Sequence, residues 1–555
     1  MSGLNLLVFR GDKQRASGKE LKAGLTAQLE QLCSHISQRG LLGALLRAGE
    51  FECGIADAYP EAANSYERFT DQIADALFIG DQVCYFSSDS HNIDLQSLLN
   101  AAHSLPDVEE LSISTPEGFA YYALHPLACA DVIRQIHACD RLLVVGIRSI
   151  GTTLSAVAAA AARAHGIVAE RITVRPQGHP YNRTLEFTPE QMPVVSRAVS
   201  CGASFAVVDE GPGLSGSSFL AVAEALECAG ASTEKIILVS SHAPNLNALC
   251  AENAALRWQR FRCIPVVGEA RRPAEAVEFI GGGQWRSRVF AEESEWPAAW
   301  TSLERLKYLS STEQGERRFF KFAGLGHYGD AVLGRERKVA AAGFGLMPRD
   351  ESDGFVSYPL IEGRPLLQSD LSAEVLAKIA EYCAFRLRTF GVELSDINSL
   401  QQMAEHNLYE LGLDSAIELR LEHPVIADGR MQPYEWLLSR DGKLLKTDSG
   451  SHGDDHFFPG PTDIAWDLAG AIVEWELSDQ QTTEFLDLYH RASGDDASAR
   501  IDGFIKAYAV FRLAYCLMAA NAMNGSDEQT RLQHAAATYR AVLTRMQAQI
   551  LSAAV

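Results

Sequence analysis

The sequence predicts a multidomain α/β protein that combines a helical N-terminal segment, a doubly wound parallel sheet and a C-terminal bilobal α+β domain. Its 555 residues exceed what one hydrophobic core accommodates, so several domains are expected. Short apolar runs alternate with predicted helices in the middle of the chain. Further along, a segment with a pattern typical of strands is followed by a long helical stretch. The predicted parts are residues 1–105, 106–280 and 281–555.

The charge balance favours small molecules as ligands. The chain has 71 acidic and 49 basic side chains, which gives a formal net charge of −22. A surface this acidic repels nucleic acid and anionic lipid, so neither is an expected partner. No apolar run approaches the roughly 18 residues that cross a bilayer, and no secretion signal is recognisable. With 11 scattered cysteines and no C-x-x-C pair, we expect reduced thiols and a cytoplasmic location.

The first part reads as helices from about Gly18 to Asn100, because apolar residues recur three or four positions apart. We expect this region to cap another domain or to mediate dimerisation, so a homodimer is an open alternative. Its acidic residues Glu50, Glu52 and Asp57 either face a site or are simply solvated.

The middle part contains four apolar, β-branched runs, and helices lie between them. Such strands are typical of a parallel sheet that is covered on both faces, and ligands bind to these sheets beyond the carboxyl ends of the strands. The predicted strands are 141–147, 167–174, 205–210 and 235–240.

A motif at the end of the third strand indicates a specific chemistry. In FAVVDEGPGLSGSSF, residues 205–219, an apolar strand ends in Asp209 and Glu210, and a loop of small residues then enters a helix. Glycines allow close approach of an anion, and hydroxyls at a helix N-terminus add donors for phosphate. The two carboxylates suit a ligand that also carries vicinal hydroxyls and magnesium. The predicted loop residues are Gly211, Gly213, Leu214, Ser215, Gly216, Ser217 and Ser218.

The acidic pair followed by this loop resembles the binding motif of type I phosphoribosyltransferases. The resemblance implies that Asp209 and Glu210 hold the ribose hydroxyls of phosphoribosyl diphosphate during catalysis, and that the loop holds its 5-phosphate. Leu214 and Ser215 stand where Thr and Gly are commoner in that family. The implied reaction is a magnesium-dependent displacement at the anomeric carbon of ribose, with diphosphate as the leaving group.

Two further segments agree with that resemblance. One is the turn after the first strand, where the family's diphosphate-binding loop would lie. The other is RPQGHPYNR, residues 175–183, where a mobile loop of the family closes over the diphosphate; the alternative is a surface turn with incidental charges. The implied ligand contacts are Arg148, Ser149, Gly151, Thr152, Arg175 and Arg183, with His179 as an additional cation.

The sequence does not identify a base that would act on the acceptor. Glu117, Tyr121, Tyr122 and His125 either contact an acceptor ring or belong to the core. His242 follows the fourth strand at the correct edge of the sheet, although a single histidine at a strand end is more often structural.

The last part contains four groups in the order that phosphoryl transfer requires. Lys321 lies in a predicted strand and would bind nucleotide phosphates, while Glu336 on the next helix would orient it. Asp428 would lie beside the attacking hydroxyl, and Asp448 would hold magnesium. Order and spacing resemble the aminoglycoside phosphotransferase and choline kinase branch of protein-kinase-like folds, over about residues 285–555, which implies ATP as co-substrate.

The sequence departs from that family around Asp428. The family has His-Gly-Asp and an Asn five residues beyond this Asp, whereas here the text is Ile-Ala-Asp and position 433 is Pro. Glu435 either supplies an alternative magnesium ligand or accompanies a loss of phosphoryl transfer. The resemblance makes Asp463 and Asp467 structural anchors. A neighbouring cluster could bind metal or simply form local hydrogen bonds: His452, Asp454, Asp455 and His456.

Taken together, these features predict a bifunctional enzyme that uses magnesium, phosphoribosyl diphosphate and ATP on small molecules. The alternative is a non-catalytic sensor or binding protein for phosphoribosyl diphosphate or nucleotide, with a degenerate kinase-like lobe. A dinucleotide-dependent oxidoreductase is disfavoured, because no G-x-G-x-x-G follows an early strand.

Overall fold

The computed structural model describes residues 4–11, 13–86, 94–136, 139–266, 271–311, 316–453 and 455–553. Its first half is built around a parallel sheet, and its second half consists of a small antiparallel sheet followed by a helical lobe. The mixed α/β architecture with a parallel sheet is therefore as predicted.

Four helices near the N-terminus cover one face of the parallel sheet. Ser17, Ser37 and Asp94 cap three of them, because each side chain accepts a hydrogen bond from a backbone N–H in the first turn. Their apolar side chains, such as Leu45 and Phe51, share one hydrophobic core with the sheet. The helices are Gly18–Ser34, Gln38–Ala58, Ala63–Phe86 and Leu95–Ser104.

The predicted boundary at residue 105 does not coincide with a break in packing. The strand Gln14–Ser17 pairs antiparallel with Glu110–Ile113 across that boundary. The first described residues lie elsewhere, since Leu7 exchanges two backbone hydrogen bonds of 2.8 and 2.7 Å with the side chain of Asn407. The N-terminal helices are thus a layer of the sheet domain, whereas Leu6, Leu7 and Val8 pack on the helical lobe.

The parallel sheet has five strands and is covered on both faces. Its order in space is Val168–Val174, Arg141–Ile147, Ser204–Val208, Ile236–Ser240 and Arg262–Pro265. The helix Ile150–Ala164 packs on the face that the N-terminal helices cover, whereas Gln191–Ser200, Ser217–Cys228 and Ala254–Trp258 pack on the other. A hairpin, Gln177–His179 with Asn182–Thr184, follows the strand Val168–Val174.

The strand order creates a topological switch point. The chain goes from Arg141–Ile147 to a neighbour on one side and then returns to Ser204–Val208 on the other side. Connections leave these two adjacent strands in opposite directions, so a crevice opens at their carboxyl ends, where such sheets bind ligands.

The second half begins with a five-stranded antiparallel sheet and the helix His327–Ala341. The strands lie in the order Glu278–Phe279, Lys307–Leu309, Arg318–Phe322, Phe355–Pro359 and Arg349–Asp350. A cleft separates this sheet from the helical lobe. The small helices Glu117–Ala120, Ala128–Ile133 and Arg286–Val289 complete the connections.

The helical lobe is held by one large hydrophobic core. Its helices are Ala373–Thr389, Asn398–Glu410, Ala465–Glu474, Asp479–Ser493, Ile501–Ala522 and Asp527–Ala553. Its strands are Gly363–Pro365, Trp436–Ser439 and Leu444–Lys446, together with the pair Pro424–Ile426 and Pro461–Asp463.

One of these helices is long and apolar enough to cross a membrane. Ile501–Ala522 meets that criterion by length and composition, but 72% of its most apolar window is buried inside the protein. Its charged residue Arg512 is also buried, and its guanidinium lies 3.4 Å from the carboxylate of Glu474. The packing is that of a core helix.

Candidate functional site

The crevice at the switch point brings two loops into close contact. Asp209 and Glu210 follow the strand Ser204–Val208, and Gly151 lies opposite in the first turn of Ile150–Ala164. The backbone N–H groups of Gly151 and Glu210 both donate to the Asp209 carboxylate, the second at 2.8 Å. Thr152, the next residue, is fully buried. The structure therefore brings the predicted acidic pair and the predicted diphosphate loop together.

The acidic pair is poised to take up a cation or hydroxyl groups. Burial raises the pKa of the Asp209 carboxyl to about 7. Burial, together with the charges of Asp209 and Glu117, raises the pKa of Glu210 to about 8. Two half-buried acidic groups with raised pKa values are stabilised in their charged form by a divalent cation or by hydroxyl donors, so this donor set fits both.

The small-residue loop has the backbone geometry that its glycines predict. Gly213 and Gly216 adopt φ values of +57° and +71°, and Gly216 stands directly before the helix Ser217–Cys228. The hydroxyls of Ser215 and Ser217 donate to the backbone carbonyl of Pro180 in the hairpin, at 2.8 and 2.6 Å. The hairpin therefore covers the predicted phosphate loop, and two of the predicted phosphate donors are occupied by it.

The remaining loop residues are distributed unevenly. Leu214 is 77% exposed at the tip of the loop, and Ser218 lies half-buried in the first helical turn. The imidazole of His242 lies 3.0 Å from the position that a β-carbon on Gly211 would occupy. His242 is therefore at the rim of the crevice.

The predicted cations differ in where their charge is directed. Arg148 and Arg175 both bind the carboxylate of Asp57, at 2.9 and 2.6 Å. Arg183 donates to the carbonyl of Pro176, and the charges of Arg175 and Arg183 lower the otherwise raised pKa of Asp209. Asp57 from the N-terminal helices thus belongs to the site. The sequence had left two alternatives open for this residue, a place in a site and simple exposure to solvent.

The diphosphate loop contains a strained residue. Ser149 adopts φ +111° and ψ −109°, a conformation that non-glycine residues rarely occupy. Strain of this kind costs about 1–3 kcal/mol and persists at sites where the surrounding structure fixes the backbone.

The predicted acceptor residues lie between the two halves of the molecule. The backbone N–H of Gly118, next to Glu117, donates to Glu210. The hydroxyl of Tyr122 lies 3.2 Å from Nε2 of His456 in the helical lobe. His125 pairs with Asp353 at 3.5 Å in the second half. These side chains are therefore junction residues.

The second candidate site is the cleft below the antiparallel sheet. The cleft has a volume of about 1050 Å³ and runs along the connection formed by residues 358–363. Its apolar walls include Leu309, Phe319, Leu438 and Leu445, and its polar end contains Lys321, Glu336, Glu435 and Asp448. Apolar walls with a few polar groups at one end are typical of a pocket for a small molecule or cofactor.

Lys321 and Asp448 form an ion pair at the polar end of this cleft. Lys321 also donates to the hydroxyl of Ser451 at 2.7 Å. Burial and the charges of Arg305 and Lys307 hold the pKa of Lys321 well below its usual range. An anionic ligand would relieve this repulsion.

Glu336 holds the segment that follows Asp448. Its carboxylate accepts hydrogen bonds from the Ser449 hydroxyl at 3.0 Å and from the Gly450 N–H at 2.7 Å. The described contacts therefore give Glu336 a role in positioning the Asp448 loop, and its attraction to Lys321 acts at longer range.

Asp428 lies beneath the cleft, and it lines neither the cleft nor a smaller cavity of about 110 Å³ that adjoins Asp448. Its fully buried carboxylate accepts from the Tyr382 hydroxyl at 2.5 Å and lies 3.4 Å from Lys446 and 3.7 Å from Arg386. In addition, Asp467 accepts hydrogen bonds from the N–H groups of Asp428 and Gly429. A carboxylate enclosed in this way anchors the loop and cannot reach an attacking hydroxyl, so the role predicted for Asp428 does not match its placement.

Arg430, two residues after Asp428, is the basic side chain of this loop that reaches a cavity. Arg430 lines the smaller cavity next to Asp448, and it precedes Glu435 by five residues. If Glu435 takes the place of the family's Asn, then Asp428, Gly429 and Arg430 take the places of His-Gly-Asp. This register was available from the sequence, because the five-residue spacing is measured from Glu435 as easily as from Asp428.

Glu435 faces the cleft together with Asp448. Its carboxylate accepts from the Thr447 hydroxyl at 3.3 Å and lies 3.9 Å from the Lys446 ammonium. Two carboxylates at the end of a nucleotide-sized cleft suit magnesium, so Glu435 and Asp448 are the residues that would hold it.

The cluster near Asp448 is held by local contacts. His452 lies 3.3 Å from the Asp448 carboxylate, and burial lowers the pKa of His456 to about 4. Asp454 lies outside the described residues. In the part of the chain that the structure describes, a carboxylate and histidine group close enough for a metal is found instead at Glu422, His423 and Asp495, where Arg500 already binds the carboxylates.

Comparisons with known proteins give structural neighbours over part of the chain. No family model and no curated protein matches the sequence. A choline kinase from Streptococcus pneumoniae is 16% identical with a TM-score of 0.28, and the match covers 42% of this chain and 90% of that one. A choline/ethanolamine kinase family protein from Mesorhizobium loti is 15% identical with a TM-score of 0.32, covering 44% and 88%.

A spectinomycin phosphotransferase in complex with ADP and spectinomycin is a further neighbour. It is 12% identical with a TM-score of 0.31, and the match covers 44% of this chain and 89% of that one. These neighbours are small-molecule phosphotransferases, but identities and TM-scores this low do not decide what the present chain binds.

Proposed function

We propose that the chain transfers a phosphoribosyl group from phosphoribosyl diphosphate to a small molecule, with magnesium, at the edge of the parallel sheet. The observation that carries this proposal is the contact between the two loops at the switch point. There the Gly151 N–H donates to the Asp209 carboxylate, and the glycine loop that leads to Ser217 follows directly after Glu210.

Each part of this crevice has a chemical role in the proposed reaction. The N-terminus of Ser217–Cys228 and the glycine loop bind the 5-phosphate, because free N–H groups and the helix dipole favour an anion. Asp209 and Glu210 accept the ribose hydroxyls and hold magnesium. Arg183, with the Gly151 turn, faces the leaving diphosphate and stabilises its charge.

The hairpin has to move for this ligand to bind. The carbonyl of Pro180 occupies the hydroxyls of Ser215 and Ser217, which the phosphate would require. When phosphate replaces that carbonyl, the hairpin is released and can close over the diphosphate instead. Closure would exclude water from a transition state that carries positive charge on ribose.

Diphosphate release from magnesium phosphoribosyl diphosphate and a panel of nucleobases tests the proposal. Asp209→Asn should reduce the rate by about 100-fold, because a buried group that interacts with the reacting ribose loses its charge. Asp140→Asn is the matched control, since this exposed aspartate lies at the amino end of the strand Arg141–Ile147. Tight binding without turnover for every acceptor would favour a sensor, and absence of binding would refute the proposal.

We infer a second function, the binding of a magnesium nucleotide in the cleft below the antiparallel sheet. The observation that favours it is the Lys321 and Asp448 pair at the polar end of an apolar cleft of nucleotide size. Asp448 and Glu435 would hold magnesium, and Lys321 would bind the phosphates. Phosphoryl transfer to a hydroxyl requires a carboxylate beside that hydroxyl. If Arg430 stands in that position, the chain offers no evident carboxylate for this step.

Calorimetric titration with ATP and magnesium tests this second function. Lys321→Met should weaken nucleotide binding by about tenfold or more, because a charge-assisted phosphate contact is removed. Lys443→Met is the control, since Lys443 is an exposed lysine of the same half. Equal affinities of both variants would exclude Lys321 as a phosphate ligand. Product analysis with hydroxyl acceptors then shows whether bound ATP is also a phosphoryl donor.

A further inference from the structure

A second, smaller cavity lies where the two halves of the molecule meet. This junction pocket has a volume of about 110 Å³. Tyr121 contributes to it from the sheet-bearing half, and Arg305, Arg430, Asp455, His456 and Tyr515 contribute from the other half. The pocket adjoins Lys321 and Asp448, so it is continuous with the polar end of the nucleotide cleft.

The guanidinium of Arg430 is available to a ligand in this pocket. It lies 5.7 Å from the centre of the Tyr515 ring, and among the residues that the structure describes no carboxylate lies within ion-pair distance of it. Two acidic residues of the pocket already have other cations, because Asp448 binds Lys321 and Glu304 binds Lys307 at 2.7 Å. A planar guanidinium without an acidic partner matches a phosphate group.

His456 adds a second polar group that lacks a partner. The residue is 7% exposed, and its Nδ1 is buried without a hydrogen bond among the described residues. Its Nε2 is bonded to the hydroxyl of Tyr122. We assign the hydroxyl as the donor in that bond, which puts the proton of the neutral imidazole on Nδ1. Nδ1–H is then a donor without an acceptor, and an anion in the pocket would supply one.

Four basic side chains gather in the pocket beside four acidic ones, although the chain as a whole carries a net charge of −22. Burial lowers the pKa of His456, the charges of Arg305 and Arg10 lower it further, and the charge of Asp455 opposes them. Cations brought together in an acidic protein repel one another, so an anionic ligand would stabilise this arrangement.

The pocket shares a wall with the crevice at the edge of the parallel sheet. The N–H of Gly118 donates to Glu210 in the crevice, and Tyr121, three residues later, lines the pocket. Glu117 lies close to both sites. Burial and, to a smaller extent, the charge of Asp455 in the pocket raise the pKa of Glu117, and the charge of Glu117 in turn raises the pKa of Glu210 in the crevice. One short segment therefore separates the two candidate sites.

We infer that the junction pocket binds the phosphate group of a small anionic substrate, with Arg430 and Nδ1 of His456 as its ligands. This inference rests on the proposed function, which supplies two sources of such a group. One is a ribosyl 5-phosphate compound that reaches the pocket past Tyr121 from the sheet edge. The other is the terminal phosphate of a nucleotide in the cleft.

Calorimetric titration of the full chain with ribose 5-phosphate, ATP and ADP tests this inference and separates the sources. Arg430→Met should weaken the binding of at least one probe by about tenfold, because a bidentate charged contact is lost, and Arg430→Lys should restore part of it. A loss for ribose 5-phosphate identifies the first source. A loss for ATP but not for ADP identifies the second. Unchanged affinity for all three probes in a variant with wild-type thermal stability would overturn the inference.

Two further variants serve as controls. Arg420→Met removes an exposed arginine of the same lobe and should leave all three affinities unchanged. The double variant Ser215→Ala, Ser217→Ala alters only the phosphate loop at the sheet edge. If the double variant binds phosphoribosyl diphosphate normally while Arg430→Met still loses its probe, the proposed ribosyl site is wrong and the junction pocket stands. If instead the double variant loses phosphoribosyl diphosphate binding while Arg430→Met binds all three probes normally, the junction pocket is wrong and the proposed ribosyl site stands.

Discussion

A β-carbon on Gly151 would lie 2.5 Å from the carbonyl oxygen of Val208. The two loops at the switch point are therefore so close that position 151 has space for the hydrogen of glycine but not for a side chain. The same hypothetical atom would lie 3.4 Å from a carboxylate oxygen of Asp209. The close approach allows the Gly151 N–H to reach the carboxylate, which fixes one member of the acidic pair. Glycine is required here by contact distance, and no positive φ is involved.

The first prediction concerns this contact. Gly151→Ala should push the turn away from Val208 and weaken binding of magnesium phosphoribosyl diphosphate by about tenfold or more, as measured by calorimetry. Gly334→Ala is the control, because a β-carbon at this helical position meets no atom within 4 Å. A Gly151→Ala variant that binds the ligand like the wild type would show that the two loops do not act together.

The second prediction concerns pH. The pKa of Glu210 is raised to about 8 by burial, Asp209 and Glu117, so the folded protein keeps a proton that the unfolded chain releases near its ordinary pKa. Stability attributable to this group is therefore present at acidic pH and is lost as the pH rises through about 8. The Glu210→Gln variant cannot ionise at this position, so it does not lose this stability at high pH. The melting temperature of the variant should exceed that of the wild type by about 2 °C or more at pH 9 and by little at pH 5.

Thermal melting of the unliganded protein across this range provides the measurement. The exposed Glu190, mutated to Gln, is the control and should give a constant difference from the wild type. Parallel curves for both variants would mean that Glu210 is ionised at neutral pH and that its burial is compensated by a cation.

Local sequence patterns were sufficient for the parallel sheet and for the loop after it. Unalternating apolar strands specify burial on both faces, and the acidic pair, glycines and serines lie within ten positions of each other. Asp57 could not be assigned in the same way, because it is 91 residues from Arg148 and 118 from Arg175. Only the packing of the N-terminal helices on the sheet makes that contact.

The placement of Asp428 and Arg430 shows a different limit. Both lie in one loop, and the five-residue spacing can be counted from Asp428 to position 433 or from Arg430 to Glu435, so the sequence offers both registers and does not choose between them. The backbone bonds from Asp428 and Gly429 to Asp467 decide this, because they fix the loop so that Asp428 turns toward Arg386. The sequence therefore located the functional loop, but the direction in which each charged side chain points depends on contacts with residues distant in the sequence.

The third prediction concerns the Asp57 pair with Arg148 and Arg175. Although burial opposes the effect, the hydrogen bonds and charges of Arg175 and Arg148 lower the pKa of Asp57. The group therefore stabilises the fold above its ordinary pKa, and this contribution is lost as the pH falls. Asp57→Asn should cost about 1–2 kcal/mol of stability at pH 7, and less at pH 3, as judged by urea unfolding.

Its control is Asp131→Asn. Asp131 and Arg134 form an exposed pair on one helix turn, and removing such a pair should cost about 0.5 kcal/mol or less. Equal costs for the two variants would show that the Asp57 contacts are no stronger than surface pairs. If Asp57→Asn also weakens phosphoribosyl diphosphate binding, the two arginines act in the site only when Asp57 holds them.

The last prediction separates the two aspartates of the second half. Asp428→Ala leaves Lys446 and Arg386 buried without this carboxylate, so it should destabilise the protein by about 3–5 kcal/mol. Asp448→Asn should instead weaken magnesium-dependent ATP binding by about tenfold and cost less stability, because Asn tolerates the φ of +55° at this position and Lys321 keeps its hydrogen bond to Ser451. Unfolding curves together with ATP titrations, with and without magnesium, measure both effects. If Asp428→Asn, a milder change, folds normally but abolishes ATP turnover while binding persists, Asp428 would be the catalytic base after all and the anchor role derived from its burial would be wrong.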